Sequence, residues 1–431
     1  MIALRIDRIA YRGAGVARAP DGAVCFVHGT CPGELVEAEV TEERKTFRKA
    51  RLVRVLEPSP DRLAEPECLL PDGTPVPGCV YGHARHEAEV AWKNEQLRDF
   101  LVRQAGLAGA GALLAEPFVS PKALHYRNKC TMHTARDGAG RRVLGYYGDD
   151  NETVVDVPSC PLSVPEIGAE LAALRADEAF WRYAGAGAEV GLRWTRADGA
   201  VVWVDRPRDR GRPPEPLPDL TEKTPILGRM RVPARGFWQM NGAVGGALVE
   251  AAVEALRAAA PARLLDLYCG VGVFGLSAAK AARIGSVVGA DSGRDVVRAA
   301  NANARELGLD DRARFECADV ARAARRLLSE NAGPGGAALV DPPRAGLDPR
   351  VADALLSIPA GLLLYVSCAP DTLARDLRRL CVPGGYALRS ARLFDMFPRT
   401  AHFETLCVLA RARQGGPVYP AAPCEAAKDS R

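Results

Sequence analysis

Three short segments in the C-terminal half carry residues able to do covalent chemistry. Cys368 ends the apolar run Leu364-Tyr365-Val366-Ser367 and precedes Ala369-Pro370, a Pro-led helix start. A thiol at a strand's carboxyl end and a helix N-terminus sits in a positive field that favours the thiolate, so Cys368 reads as a nucleophile. Asp341 ends Ala338-Leu339-Val340 and precedes Pro342-Pro343. A residue before proline is held extended, so this carboxylate is aimed from a stiff strand end. Glu404, in Ala401-His402-Phe403-Glu404-Thr405, has apolar neighbours at the start of a last strand. A carboxyl in such a setting has a raised pKa and suits proton abstraction. His402 reads as a supporting contact. Arg344 stands after the prolines, where amine-methylating versions of this motif carry an aromatic, which points away from exocyclic-amine chemistry.

A fourth segment, Gly270-Val271-Gly272-Val273-Phe274-Gly275, follows a strand and opens a helix. It matches the dinucleotide fingerprint, a weak signal by itself. Asp266 lies inside the preceding strand, where a carboxylate would face an approaching pyrophosphate. It suits a cationic amino-acid cofactor such as S-adenosylmethionine. Asp291, at the end of the next strand, is placed for ribose hydroxyls. Asp319, after the third, is placed for an adenine edge and equally for a helix N-cap. A cysteine nucleophile, a methyl-donor pocket and a base together match methylation of pyrimidine C5. That carbon is a poor nucleophile until a thiolate adds at C6, and it must then lose its proton.

The elements that must position these groups follow from the apolar pattern. From about Phe237 onward, runs at 264–266, 287–290, 314–317, 338–340 and 362–366 read as strands. They alternate with helices near 273–283, 293–307, 319–330, 348–357 and 370–380, and strands at 386–394 and 403–410 close the series. This βαβα order predicts a doubly wound, Rossmann-like parallel sheet over 236–412. Residues 1–58 read as short strands at 2–9, 23–27, 34–40 and 47–56 with Gly-rich turns, a small β-barrel. Arg44, Lys45, Arg48, Lys49, Arg51 and Arg54 cluster there with no acid among them. They form either a solvated face or a phosphate-contacting surface for RNA.

Residues 59–95 are Pro/Gly-rich at first and carry Cys68 and Cys79, a linker or a metal-stabilised knot leading into a helix over 83–107. Residues 96–235 form a mixed central domain, with strands at 144–147, 190–194 and 201–204 and a Pro/Arg-rich loop, 206–218, expected to be solvated and mobile. Residues 413–431 read as a disordered tail.

At 431 residues the chain exceeds one ordinary core. No apolar run nears the roughly 18 residues that cross a bilayer. The N-terminus alternates like a strand instead of showing a signal-peptide core, so a cytoplasmic location is expected. In that compartment 12 scattered cysteines argue against a disulfide framework. A net charge of +4 says little about partners, because it averages over local patches.

On these residues the chain closely resembles the RNA uracil-C5 methyltransferases of bacteria, the enzymes forming 5-methyluridine in tRNA and 23S rRNA. The motifs are 266–272, 341–346, 367–370 and 402–404, with Phe237-Trp238-Gln239-Met240-Asn241, Tyr126-Arg127-Asn128-Lys129, and Phe26-Val27 plus Pro32-Gly33-Glu34 in a TRAM-like barrel. The resemblance implies Cys368 as nucleophile, Glu404 as base and Asp341 beside uracil and cofactor. Gln239, Asp266, Tyr268, Gly270, Gly272, Asp291 and Asp319 would serve S-adenosylmethionine, and RNA would present a flipped-out base. Many members of the family hold a [4Fe–4S] cluster on four cysteines. Here Cys68, Cys79 and Cys160 fall at three of those positions and Val76 at the second, so the cluster is absent, incomplete or completed by another residue. Ala369 and Val273 are further departures.

Two other readings use parts of the pattern. An NAD(P)-dependent oxidoreductase would use the glycine loop but leave Cys368, Glu404 and the barrel idle. A non-catalytic RNA-binding protein would leave Cys368, Asp341 and Glu404 unexplained.

Overall fold

The structure, a computed structural model, describes residues 1–211, 215–333, 335–382 and 385–412. The expected tail, 413–431, and the middle of the expected mobile loop, 212–214, lie outside the described residues.

Five strands close a barrel at the N-terminus: β1 (Ile2–Ile9), β2 (Ala14–Arg18), β3 (Val24–His28), β4 (Leu35–Glu43) and β5 (Phe47–Glu57), in the order β1-β2-β3-β5-β4. Leu4, Ile6, Val27, Val36 and Ala38 fill it, as the alternation requires. The sequence pattern omitted β2, because Ala14-Gly15-Val16-Ala17-Arg18 is too small-sided to show alternation. The basic cluster of β5 is not a free cationic face. β4 runs antiparallel beside it and sets Glu37, Glu39, Glu42 and Glu43 opposite Arg54, Arg51, Lys49 and Arg48. Side-chain ion pairs follow on all four rungs. The two charge runs adjoin in the sequence, and only the strand register turns them into a neutralised ladder.

Residues 59–85 are no loose linker. Cys68, Leu70, Val76, Cys79 and Tyr81 are buried, and the segment packs against helix α1 (His86–Asp99) and the loop after residue 394. The central domain is an antiparallel sheet of β6 (Lys129–Arg136), β7 (Arg142–Tyr147), β8 (Val154–Asp156), β9 (Glu189–Thr195) and β10 (Gly199–Asp205), backed by α2 (Pro165–Ala176) and α3 (Glu178–Ala184). At the start of the 206–218 loop, Arg206 lies over the Tyr183 ring at 4.0 Å, so this part is docked. A hairpin of β11 (Asp219–Thr224) and β12 (Gly228–Pro233) leads to helix α4 (Gly242–Ala259).

The C-terminal sheet then forms from β13 (Arg263–Leu267), α5 (Val273–Ala281), β14 (Ser286–Asp291), α6 (Arg294–Glu306), β15 (Ala313–Cys317), α7 (Val320–Asn331), β16 (Ala337–Val340), α8 (Pro349–Ser357), β17 (Leu362–Ser367), α9 (Pro370–Cys381), β18 (Tyr386–Phe394) and β19 (Glu404–Arg411). Strand order is β15-β14-β13-β16-β17-β19-β18, with β19 running against its two neighbours. Near-continuous apolar strands such as Ala337–Val340 fit a sheet covered on both faces. Beside β13 the order reverses, the place where open α/β sheets bind ligands. Among the described residues no helix is long and apolar enough to cross a membrane.

Candidate active site

The carboxyl end of this sheet collects the groups singled out in the sequence. Asp341 directly follows β16, and its backbone N–H donates to Leu267 O at 3.3 Å, extending the β13 ladder. Cys368 directly follows β17, and Glu404 opens β19. Ser367 lies opposite Thr405 in the antiparallel pair, which brings Cys368 and Glu404 to neighbouring positions at one edge. α9 begins at Pro370, two residues past the thiol, and Thr372 Oγ1 donates to Arg344 O at 3.0 Å, tying that helix to the Asp341–Arg344 segment.

Cys368 is half-buried and Glu404 is 3% exposed. Burial pushes the Cys368 thiol up to about 11, the charges of Glu404 and Asp341 add to the rise, and Arg344 opposes it. The expected thiolate is therefore not the resting state: the positive helix end and Arg344 are outweighed by desolvation and two carboxylates. Glu404 itself is raised well above the usual carboxylate range, by burial first and Asp341 second, with Arg344 opposing. Its Oε2 is buried without a hydrogen-bond partner, an acceptor left open. Burial, then Asp291, lifts Asp341 to about 7. His402 falls to about 4 through burial and nearby cations, so it stays neutral at ordinary pH.

A cleft opens beside Asp341. Gln239, Tyr268, Gly270 and Asp341 line it, together with Phe237, Trp238 and the Lys223-Thr224 end of the hairpin. Gln239 Oε1 is buried there without a partner, and Phe237 is 61% exposed at the rim. An orphaned acceptor, aromatic walls and a carboxylate fit a nucleoside carrying an amino acid and a cation.

Asp266, Gly272, Asp291 and Asp319 lie outside the cleft lining. Asp266 is fully buried, its Oδ2 accepts from Gly275 N at 2.9 Å, and burial lifts it to about 8. Asp291 accepts from Gly270 N at 3.1 Å and Gly293 N at 2.8 Å, so it shapes the glycine loop. Gly272 has φ +82°, and a Cβ there would lie 2.7 Å from Phe315 Cζ, so the loop needs glycine for both reasons. Asp319 caps α7, accepting from Arg322 N at 3.2 Å.

Cys68, Cys79 and Cys160 are buried in one apolar cluster that also holds Val76 and Cys130. Val76 accepts from Cys79 N and donates to Cys68 O, and the Cys68 and Cys79 thiols are electrostatic neighbours. A four-thiolate cluster needs a fourth ligand where buried Val76 stands. Among the described residues no three or more His, Cys, Asp or Glu are arranged to hold a metal. The residues present do not fit the expected cluster. A buried aliphatic side chain stands where the fourth thiolate would be.

Sequence reasoning missed the Lys223-Thr224 end of the hairpin in the cleft and a neighbour of the thiol. Tyr11, in the turn after β1, packs edge-on to Phe100 at 5.2 Å, and the charges of Asp371 and Cys368, after burial, raise its phenol. The turn after β1 thus lies within electrostatic range of the thiol, which no motif in residues 1–58 signals.

The family profile of tRNA (uracil-5-)-methyltransferases matches residues 221–412, and that of the TRAM domain matches residues 2–53. The 23S rRNA (uracil(1939)-C(5))-methyltransferase RlmD of Chromohalobacter salexigens is 32% identical, over 95% of this chain and 89% of its own length. An uncharacterized RNA methyltransferase of Streptomyces coelicolor is also 32% identical, over 96% of this chain and 93% of its own. Among solved structures, the Pyrococcus abyssi tRNA (uracil-54, C5)-methyltransferase in complex with S-adenosyl-L-homocysteine shares the fold. Its TM-score is 0.69 at 23% identity, over 94% of this chain and 100% of that one.

Proposed function

The chain belongs to the RNA uracil-C5 methyltransferase family, and from that premise we propose how its own residues divide the work. It is an S-adenosylmethionine-dependent methyltransferase acting on C5 of a uridine in rRNA or tRNA, working in the cytoplasm. Residues 1–58 and 96–235 would hold RNA, 59–95 would brace the site, and 236–412 would carry cofactor and chemistry. The observation that carries this reading is the meeting of a half-buried thiol and an open carboxylate acceptor beside a cleft lined by Asp341.

S-adenosylmethionine, when bound, supplies an electrophilic methyl group. Gln239, Tyr268, Gly270 and Asp341 would hold it, with Asp266 and Asp291 shaping the loop and Asp319 at its far edge. The target base must leave its stack, at a cost of a few kcal/mol that is least in looped RNA. Cys368 rests as a thiol, which protects it until uracil arrives. Asp341, titrating near neutrality, takes the thiol proton as sulfur bonds to C6 and holds it hydrogen-bonded toward O4, where the ring's electrons collect. C5, now nucleophilic, gains the methyl group. Glu404, acting in its ionised form, removes the C5 proton, the C5–C6 double bond re-forms, and sulfur leaves and regains its proton from Asp341. Dry surroundings favour each transfer, because the carboxylates are already tuned upward. No step runs through a metal.

The test is nucleoside mass spectrometry of rRNA and tRNA from a strain lacking the gene. The expected result is loss of 5-methyluridine at one position, restored by the wild-type gene. Unchanged 5-methyluridine in both RNAs would end the reading.

A further inference from the structure

Glu404 is delivered by the loop 395–403, and that loop is held by charges buried away from the reaction. Lys93 on α1 is fully buried, and its Nζ donates to Glu89 at 2.6 Å, to Asp395 at 3.1 Å and to Phe397 O at 3.2 Å. Asp395, also fully buried, lies 2.6 Å from His86 Nε2 and accepts from Ser120 N at 3.4 Å. Ser120 Oγ in turn accepts from Asn241, two residues past Gln239 of the cleft. Glu89 accepts from Arg399 N at 2.8 Å and from its Nη1 at 3.2 Å, and Arg399 pairs with Glu67 of the cysteine segment.

The loop backbone is gripped just as closely. Phe397 O takes Lys93, Pro398 O takes the Tyr126 hydroxyl at 3.0 Å, and Arg399 O takes Val80 N at 2.9 Å. Three successive carbonyls are thus held by three separate segments, and Arg399 is kept at φ +67°. Burial alone would raise Asp395, yet Lys93 and His86 hold it below the usual carboxylate range. Buried ion sets add little net stability over an apolar core, and their best-attested use is to select one geometry.

We propose that Lys93 is a positioning residue: through Asp395 and the Phe397 carbonyl it fixes the 395–403 loop, and so sets the Glu404 carboxylate at the height where it meets the C5 proton. This rests on Glu404 being the base. Lys93 is not among the residues that line the cleft. If its role is geometric, its loss slows the step that needs Glu404 and spares attack by Cys368. The covalent protein–RNA species then outlives its normal turnover.

The experiment uses the full-length enzyme, S-adenosylmethionine and labelled, unmodified 23S rRNA and tRNA transcripts trimmed with ribonuclease before denaturing gels. Lys93→Met is expected to lower kcat at least tenfold, leave both KM values within about threefold, and accumulate the RNA-linked band seen with Glu404→Gln. Lys93→Arg, keeping the charge, should recover part of kcat. If Lys93→Met does not fold, Asp395→Asn, which leaves Lys93 its Glu89 partner, carries the same expectation. Should Glu404→Gln itself give no band, the base assignment falls. Should Glu404→Gln give the band and a folded Lys93 or Asp395 variant not, or should that variant turn over normally, the positioning role alone falls.

Discussion

The protonation state of Cys368 gives the sharpest prediction. A Cys368 thiol at about 11, against an ordinary 9.0, differs by about two pH units. At pH 8 that leaves about one molecule in a thousand as thiolate, against roughly one in ten for an unperturbed group, a hundredfold difference. Iodoacetamide reacts with the thiolate, so the free enzyme should alkylate at Cys368 on the order of a hundredfold more slowly than a small thiol of ordinary acidity. Its rate should still climb at pH 10. Peptide-resolved mass spectrometry separates Cys368 from exposed Cys317. The causes predict two opposite shifts. Glu404→Gln removes a negative neighbour and should move the alkylation midpoint down; Arg344→Met removes the opposing cation and should move it up. A midpoint at or below 9 in the wild type, or a Glu404→Gln profile that overlays it, would refute the electrostatic account of the site.

Cys368→Ala should abolish methyl transfer while RNA binding, read by filter retention, stays within about threefold; measurable turnover would exclude the covalent route. Asp266 is an acid whose folded-state pKa is raised to about 8, so its ionisation favours unfolding and stability falls as pH rises from its ordinary range through 8. The melting temperature of Asp266→Asn relative to wild type should therefore become more positive between pH 5 and 8.5; a constant difference would contradict the burial of an unpaired carboxyl oxygen. Protein purified without oxygen should carry no stoichiometric iron or sulfide, and Cys160→Ser should keep the absorption spectrum and turnover of the wild type; four irons per chain would overturn the packed-core description of the cysteines.

Local pattern made much of the catalytic half legible. The strands at 264–266, 287–290 and 362–366, and the helices between them, lie where alternating apolar runs put them, because a doubly covered parallel sheet writes its strands as unbroken apolar stretches. Cys368, Asp341 and the glycine loop could be singled out for a similar reason: strand ends and tight turns are specified by adjacent residues. Adjacent sequence does not state which segments become neighbours. The acids that neutralise the barrel's arginines lie on the preceding strand, and register alone pairs them. Nothing around Lys93 marks it as a partner of Asp395, about 300 residues away, because a buried charge is identified by what surrounds it. The same holds for the thiol. Its residue type and its place before a helix are written in the chain, but its protonation is set by burial and two carboxylates from other strands. The sequence by itself determined which side chains stand at the strand ends and which elements present them; packing alone decided their charge states and separations, since dielectric surroundings and through-space fields exist only once distant segments meet.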